Sequence, residues 1–82
     1  MPFFVYILYS PSADKYYKGQ TNNVEDRLKR HNAGHEKATS NGRPWRLIWF
    51  TEKDSRSEAV NLERKLKNMN REKLKSFIAK YS

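Results

Sequence analysis

Residue types that can act on a phosphate group are concentrated at residues 16–34, which read YYKGQTNNVEDRLKRHNAG. Tyr17 precedes a lysine and a glycine there, and Arg27 and His31 follow with a spacing of four residues. A guanidinium binds phosphate through two parallel hydrogen bonds, and an imidazole transfers protons near neutral pH. The combination suits phosphate chemistry, although strand tyrosines commonly serve packing and charged helix edges are commonly solvated faces.

Two residues elsewhere in the chain are candidates for the same site. Tyr6 lies in the middle of the first apolar run, where a hairpin would bring it near Tyr17 and the small Gly19. Glu63 lies at the margin of the apolar stripe of a later helix, and its structural alternative is an ion pair with Lys67, four residues on. In the functional interpretation Glu63 leans toward the sheet, where one carboxylate, water and a phosphate oxygen can hold a hard divalent cation.

Zinc is the other metal that the histidines suggest. His31 and His35 have the i, i+4 spacing of zinc ligands. Residues 32–34, Asn-Ala-Gly, predict a helix end between them, and no other ligand cluster accompanies the pair. We therefore do not expect zinc.

The strands that would position these residues are predicted from the hydrophobic pattern. Aromatic and β-branched residues at 3–9 indicate a central strand that is covered on both faces. A turn with Pro, Ser and Asp separates it from a second run at 16–20, so the two strands are predicted to form an antiparallel hairpin. A third strand is predicted at 45–50, after a polar, exposed loop at 34–44.

Three helices are predicted from capping residues and apolar spacing. The first runs over 23–31 with Asn22 as its N-cap, the second follows Ser55, and the last follows Asn70. The order β-β-α-β-α-α predicts an α+β fold, a small three-stranded antiparallel sheet flanked by helices. We expect residues 1–82 to form one domain, with a small core.

The composition limits the cellular compartment and the kind of binding partner that we expect. Seventeen Lys and Arg against nine Asp and Glu give a net charge of +8, which favours a polyanionic partner. The alternative is a solvated basic face. The absence of cysteine excludes a disulfide framework and fits the reducing cytoplasm. The apolar run at 3–9 is far shorter than the ~20 residues of a membrane span, so we expect no membrane association.

The order of five short elements resembles a known family. VYI at residues 5–7 and YKG at residues 17–19 are followed by Arg27 and His31 on one helix, and then by Glu63 within EAVNLE. This pattern resembles the GIY-YIG endonuclease family, in particular its short stand-alone bacterial members related to the nuclease domain of the bacterial excinuclease. The resemblance covers nearly the whole chain, and the spacing of five separate elements makes it specific.

The resemblance implies a metal-dependent endonuclease that hydrolyses DNA phosphodiester bonds. Tyr6 and Tyr17 take the places of the two motif tyrosines, and Arg27 takes that of the helix arginine. Glu63 matches the metal-binding glutamate, and His31 matches a histidine of some branches. On this basis Glu63 holds one Mg²⁺ or Mn²⁺, and Arg27 binds a phosphate oxygen. Tyr6 acts as general base with proton transfer to His31, while Tyr17 orders the water or the phosphate.

The implied partner is DNA, with branched or damaged DNA as candidate substrates and RNA left open. Basic side chains around the site would hold the phosphate backbone without reading bases. The expected contributors are Lys37, Arg43, Arg46, Lys65 and Lys67. Because no base-reading helix or second DNA-binding domain is visible, we also expect help from a homodimer or a partner protein. The pathway is left open, DNA repair being one candidate.

Some positions depart from the family pattern. Val5 replaces the first motif glycine and Lys18 the isoleucine of the second motif, and both changes fall within common family variation. Gln20 stands where many members have a lysine thought to help deprotonate the tyrosine, so that role is absent or passes to the helix histidine. A late asparagine of several members has only two candidate counterparts, Asn68 and Asn70.

Two other functions are compatible with the sequence. The first is a nucleic-acid-binding module, for DNA or RNA, which keeps the scaffold while its activity is weak or lost; Gln20 favours it. The second is a structural or ribosome-associated basic protein. In that case substitutions of Arg27 and Glu63 would change stability rather than an activity.

Overall fold

The structure, a computed structural model, describes residues 2–81. The elements follow in the order β1 (Phe3–Ser10), β2 (Lys15–Thr21), α1 (Val24–Ala33), a short 3-10 helix (Lys37–Gly42), β3 (Arg46–Lys53), α2 (Arg56–Lys67) and α3 (Arg71–Tyr81). The predicted α+β fold, a three-stranded antiparallel sheet flanked by helices, is confirmed. Met1 and Ser82, the ends of the predicted domain, lie outside the described residues. No helix within 2–81 is both long and apolar enough to cross a membrane.

The sheet has the order β2-β1-β3, with β1 antiparallel to both neighbours. Tyr6 lies opposite Gly19 on β2 and opposite Phe50 on β3, and Leu8 lies opposite Tyr17. The position in the middle of the sheet explains why β1 reads as a continuous apolar run, because such a strand is buried on both faces. Tyr6 and Tyr17 thus lie diagonally across the hairpin on one face.

Each face of the sheet carries its own core. On the side of α1, the buried residues are Tyr6, Leu8 and Trp45, with Tyr17, Val24, Leu28 and Leu47 packed against them. On the side of α2 and α3, the buried residues are Val5, Ile7, Trp49, Ala59, Leu66 and Leu74. Alternate residues of β1 therefore enter alternate cores, as the two-residue period of a strand requires.

The start and end of α1 differ slightly from the prediction. The N-cap is Asn23 rather than Asn22: its backbone is extended and its side-chain oxygen accepts a hydrogen bond from the Asp26 backbone N–H at 3.0 Å. The helix continues two residues past His31, because Gly34 supplies the left-handed conformation, φ 82°, that ends it. Ser55 and Asn70 cap their helices as expected, accepting from the backbone N–H groups of Glu58 and Lys73.

The segment predicted as a polar, exposed loop at 34–44 is partly buried, so that prediction is wrong for its middle. Residues Lys37–Gly42 form the 3-10 helix, in which Thr39 and Gly42 are buried. The ring of Trp45 packs on Gly42, and its Nε1 donates to the backbone carbonyl of Thr39 at 2.8 Å. A buried tryptophan thus fixes a segment whose polar composition suggested solvent.

The turn between β1 and β2 is tied to α3 by a charged cluster. Arg71 donates to the Asp14 carboxylate at 2.8 Å and to its backbone carbonyl, and its guanidinium lies 5.6 Å from the centre of the Tyr16 ring. The Tyr9 hydroxyl donates to the other oxygen of Asp14, also at 2.8 Å. These contacts lower the pKa of the Asp14 carboxyl, with the Arg71 hydrogen bond as the largest cause.

Candidate active site

A buried chain of hydrogen bonds connects β1, α1 and the 3-10 helix. Tyr6 is 1% exposed and His31 is fully buried. The Tyr6 hydroxyl lies 2.9 Å from Nε2 of His31, and Nδ1 of His31 lies 2.8 Å from the Thr39 hydroxyl. Thr39 in turn donates to the backbone carbonyl of Glu36 at 3.3 Å. The chain therefore starts at a phenol, passes through an imidazole and ends on the backbone.

The hydrogen-bond network assigns the tautomer of His31. Because the Thr39 proton points to the Glu36 carbonyl, the Thr39 oxygen accepts from Nδ1–H of His31. Nε2 then carries the lone pair and accepts the proton of the Tyr6 hydroxyl. In the reverse arrangement, the Tyr6 proton would have no acceptor among residues 2–81. His31 is thus neutral and accepts the hydrogen bond of the Tyr6 hydroxyl through Nε2.

Burial shifts the pKa values of Tyr6 and His31 in the directions that keep both side chains uncharged. It raises the pKa of Tyr6 well above its ordinary value, with Tyr17, Glu63 and Glu36 adding to the increase and Arg27 opposing it. Burial also lowers the pKa of His31. A Tyr6 phenolate and a His31 imidazolium are therefore both disfavoured, and the uncharged forms of the two side chains are favoured.

Tyr17 and Gly19 complete the surroundings of this pair from β2. The Tyr17 ring lies 6.3 Å from the Tyr6 ring and 4.8 Å from the His31 ring, in an edge-on arrangement with the latter. A Cβ atom on Gly19 would lie 2.6 Å from the Tyr6 hydroxyl oxygen. Glycine at this position is what leaves room for the hydroxyl.

Glu63, on α2, reaches β2 along the other face of the sheet. Its Oε1 accepts a hydrogen bond from the Gln20 side-chain amide at 3.0 Å, and its Oε2 lies 3.3 Å from the Lys67 ammonium. The Glu63 side chain is 17% exposed, against 58% for Lys67. The ion pair considered from sequence is therefore formed, and the carboxylate also leans onto the sheet through Gln20.

Arg27 lies at the edge of a cavity between α1, the end of β2 and the start of α2. Its guanidinium lies 3.4 Å from the Glu36 carboxylate, with 31% of its side chain exposed. The cavity has a volume of about 380 Å³. Its walls are Phe3, Gln20, Thr21, Asn22, Arg27 and Arg56. Gln20 is shared between this cavity and the Glu63 carboxylate.

The chain was also compared with protein families. The family model described as the GIY-YIG catalytic domain matches residues 2–76. The chain belongs to the GIY-YIG family. GIY-YIG is a family of nucleases, which act on nucleic acids and generally depend on a metal ion.

Similar proteins cover nearly the same length. A UPF0213 protein of Haloquadratum walsbyi is 39% identical over 71 residues, which span 85% of this chain and 79% of the relative. A UPF0213 protein of Listeria innocua is 36% identical over 77 residues, spanning 93% and 84%. The solution NMR structure of a UPF0213 protein of Bacillus halodurans superposes with a TM-score of 0.63 at 31% identity, covering 96% of this chain and 84% of that one.

The carboxylate of Glu63 fits a divalent cation as a single protein ligand. Mg²⁺ in phosphate sites is commonly held through one or two carboxylates together with waters and phosphate oxygens. Within residues 2–81, no three His, Cys, Asp or Glu side chains gather into a protein cage for a metal. A cation would take the place of the Lys67 ammonium at Oε2, while Gln20 keeps hold of Oε1.

The five predicted nucleic-acid contacts lie on different elements of the fold. Lys67 reaches Glu63, and the exposed Lys37 begins the 3-10 helix that holds Thr39. Arg43 is exposed and donates to the backbone carbonyl of Ser40 at 2.8 Å.

The other two predicted contacts, Arg46 and Lys65, lie on β3 and α2. Arg46 pairs with Tyr9 of β1. Tyr9 is four residues from Val5, which pairs with Gln20 on β2. Lys65 lines a groove with Phe50 and Phe77, beside β3 and α3.

Two residues of the site were not recognised from sequence in the role they have here. Thr39 lies in the polar segment predicted to be exposed, and nothing in its neighbourhood distinguishes it from a loop threonine. Gln20 was noted as the residue in place of a family lysine, but its hydrogen bond to Glu63 depends on packing between β2 and α2. The candidate asparagines have capping positions, Asn68 at the end of α2 and Asn70 at the start of α3.

Proposed function

We propose that this GIY-YIG protein is a metal-dependent endonuclease that hydrolyses DNA phosphodiester bonds. The observation that carries the proposal is the buried hydrogen bond of 2.9 Å between Tyr6 and a neutral His31, in a sheet whose second strand also contacts the half-buried Glu63 through Gln20. Hydrolysis needs a base for the attacking water, a cation at the phosphate and a donor for the developing charge. The chain offers one group for each need.

Tyr6 passes a proton rather than holding a charge. Its oxygen takes a proton from the attacking water while its own proton moves to Nε2 of His31. Tyr6 is neutral before and after the transfer, so its raised pKa is no obstacle, and the positive charge ends on His31. The Thr39 hydroxyl keeps Nδ1–H of His31 occupied throughout, which leaves Nε2 as the accepting nitrogen.

Arg27 and Tyr17 orient the phosphate and the water. Arg27 forms a partly exposed ion pair with Glu36 at 3.4 Å. Because such pairs are weak, a phosphate oxygen can replace the Glu36 carboxylate as the partner of Arg27. Tyr17 is half-buried beside His31 and offers its hydroxyl to the phosphate or to the water. A Mg²⁺ or Mn²⁺ ion held by Glu63 would stabilise the negative charge that develops on the phosphate.

The second candidate function is a nucleic-acid-binding module without strong activity. It is favoured by the Glu63 carboxylate, because Gln20 and Lys67 already contact both of its oxygens. In this alternative, the basic side chains bind DNA or RNA backbone and the tyrosine pair has only a packing role.

The substrate and setting belong to the same proposal. We infer action on branched or damaged DNA, as in DNA repair, in the cytoplasm. The exposed basic residues Lys37, Arg43, Arg46, Lys65 and Lys67 hold the strand, and a second copy or a partner protein adds affinity. Binding should weaken steeply with salt because the contacts are made to phosphates.

Cleavage assays on wild type and matched variants test the proposal. A supercoiled plasmid and a labelled branched DNA are incubated with Mg²⁺ or Mn²⁺ and with EDTA. Tyr6→Phe and Glu63→Gln should abolish metal-dependent cutting, whereas Tyr16→Phe, a neighbouring tyrosine on the opposite face, should keep it. If the folded wild-type protein binds both DNAs but never cuts them, the nucleic-acid-binding module replaces the endonuclease as the better-supported function.

A further inference from the structure

The cavity beside Arg27 has the chemistry of a site for a phosphorylated ligand. Two arginines, Arg27 and Arg56, line it, together with Gln20 and Asn22. Guanidinium groups bind phosphate through paired hydrogen bonds, and amide N–H groups add directed donors. The lining therefore offers several donors and two positive charges to one ligand.

The charge of this cavity is only partly balanced by the protein. Arg27 contacts Glu36, but Arg56 is exposed and has no acidic partner among residues 2–81. An arginine on a cavity wall without such a partner leaves that wall positive, which attracts an anion. Arg56 is separate from the groups assigned above to bond cleavage.

The position of the cavity links it to the strand that is cut. Gln20 lines the cavity and also donates to Oε1 of Glu63 at 3.0 Å, so the cavity and the Glu63 carboxylate lie on either side of Gln20. Arg27 likewise belongs to both. A ligand in the cavity is therefore next to a phosphate held at Glu63 and Arg27.

The size and the apolar wall fit a nucleotide rather than an isolated anion. The volume of about 380 Å³ lies within the range of about 300–1,000 Å³ that is typical of small-molecule sites. The half-buried ring of Phe3 forms an apolar wall, and bases commonly pack on aromatic side chains.

We propose that this cavity is a subsite for the nucleotide adjacent to the scissile phosphate, with Arg56 binding that nucleotide's phosphate and Phe3 contacting its base. The inference rests on the proposed function, since it assumes a nucleic-acid strand at Glu63. It adds a substrate position and two residues, Phe3 and Arg56, that sequence analysis did not assign.

Binding of a single nucleotide tests the subsite without any cleavage. Isotope-labelled protein is titrated by NMR in EDTA with thymidine 5′-monophosphate, with thymidine and with inorganic phosphate. The nucleotide should shift the side-chain signals of Gln20, Asn22 and Arg56. It should bind at least about threefold more tightly than phosphate, because Phe3 adds a stacking contact.

Variants of matched charge locate the contact. Arg56→Gln should weaken nucleotide binding by about fivefold or more, since a charge-assisted contact is lost. Arg30→Gln, an exposed arginine on α1 outside the cavity lining, should change it by less than about twofold. On a labelled single strand, Arg56→Gln should also reduce the slope of log affinity against log salt by about 1.

Three results would overturn the subsite: equal affinity for phosphate and nucleotide, shifts confined to α3 and to the part of α2 beyond Arg56, or unchanged binding in Arg56→Gln. These outcomes are independent of the nuclease test. If the nucleotide binds in the cavity but DNA is never cut, the subsite stands and the endonuclease proposal fails. If DNA is cut but Arg56→Gln binds the nucleotide as wild type does, the subsite fails and the endonuclease stands.

Discussion

The hydroxyl of Tyr6 and Nε2 of His31 lie 2.9 Å apart inside the protein, where a residue of the central strand meets a residue of α1. Both side chains are almost completely buried and both are held neutral by that burial. Transfer of the Tyr6 proton to His31 alone would create two buried charges, so in the proposed relay Tyr6 takes a proton from water as it gives its own to His31. The proposed role of Tyr6 in base catalysis depends on this hydrogen bond, which gives the Tyr6 proton an acceptor.

Loss of His31 should therefore stop proton transfer while leaving DNA binding intact. For His31→Ala, we expect cleavage to fall by about 10²–10⁴-fold, the usual contribution of general acid–base catalysis. In wild type, the acid limb of the pH–rate profile should lie below the ordinary histidine pKa of about 6.5, because burial lowers the pKa of His31. Cleavage rates between pH 5 and 8 measure both effects. Full activity of a folded His31→Ala protein would contradict the relay.

Thr39 should influence cleavage only through His31. Thr39→Val removes the acceptor of Nδ1–H, so His31 can change tautomer, and part of the about 10²–10⁴-fold contribution of proton transfer should be lost. Thr39→Ser keeps the hydroxyl and should keep the rate. Nitrogen NMR shifts of the His31 ring report the tautomer directly. An unchanged tautomer in a slow Thr39→Val protein would assign Thr39 a packing role instead.

The fold was largely predictable because its signals are local. The β1 run, the capping serine and asparagine residues and the apolar spacing of the helices each act within a few residues, and the element order followed from them. The same locality explains the errors. Asn22 and Asn23 are both good N-caps, so only the backbone conformation shows that Asn23 is used.

The residues of the candidate site were selected from the sequence by type and spacing, but their contacts with one another could not be predicted. Tyr6, Tyr17 and His31 were named from motif and spacing, and packing brings them together. The contacts of Thr39 and Gln20 depend on long-range packing: the 3-10 helix is fixed by Trp45, and α2 is docked across β2. No pattern within a short window encodes either contact.

Gln20 should set the affinity of Glu63 for a divalent cation. Its amide orients the carboxylate through Oε1, and outer contacts of this kind commonly contribute about 10–100-fold to metal affinity. For Gln20→Ala, we expect Mn²⁺ binding, followed by its electron paramagnetic resonance signal, to weaken at least tenfold on this basis. Lys67→Gln removes the competing ammonium and should strengthen it. Equal affinity in wild type and Gln20→Ala would show that the amide has no such role.

Gly19 should be required for the position of the Tyr6 hydroxyl. A Cβ at residue 19 would lie 2.6 Å from that oxygen and 2.7 Å from the ring carbon that carries it, so Gly19→Ala must displace the ring. We expect a loss of about 1–3 kcal/mol of unfolding free energy, the usual cost of overpacking, together with slower cleavage. Lys18→Ala, the preceding residue of β2, should cost within about 0.5 kcal/mol. Urea unfolding measures both, and a Gly19→Ala protein as stable and active as wild type would refute the close approach.

The stability of the protein should fall as the solution becomes acidic, in two separate ranges. The pKa of His31 is lower in the folded state than its unfolded value of about 6.5, so below that pH the unfolded chain binds a proton that the folded chain refuses. Stability is thus lost as pH falls from about 6.5 toward the folded pKa. Asp14 causes a second loss of stability at lower pH, below its unfolded pKa of about 3.9, because the hydrogen bond from Arg71 lowers the pKa of Asp14 in the folded state.

Urea unfolding of wild type, His31→Gln and Asp14→Asn at pH 7.5, 5.5 and 3 would separate the two ranges, pH values chosen around the unfolded pKa values of about 6.5 and 3.9. His31→Gln should be less stable at neutral pH but nearly insensitive to pH between the first two conditions. Asp14→Asn should keep the wild-type loss there and lose less between the last two. If His31→Gln retained the full wild-type decrease above pH 5.5, another group would have to titrate, and the neutral buried imidazole on which the proton relay depends would no longer explain the pH response.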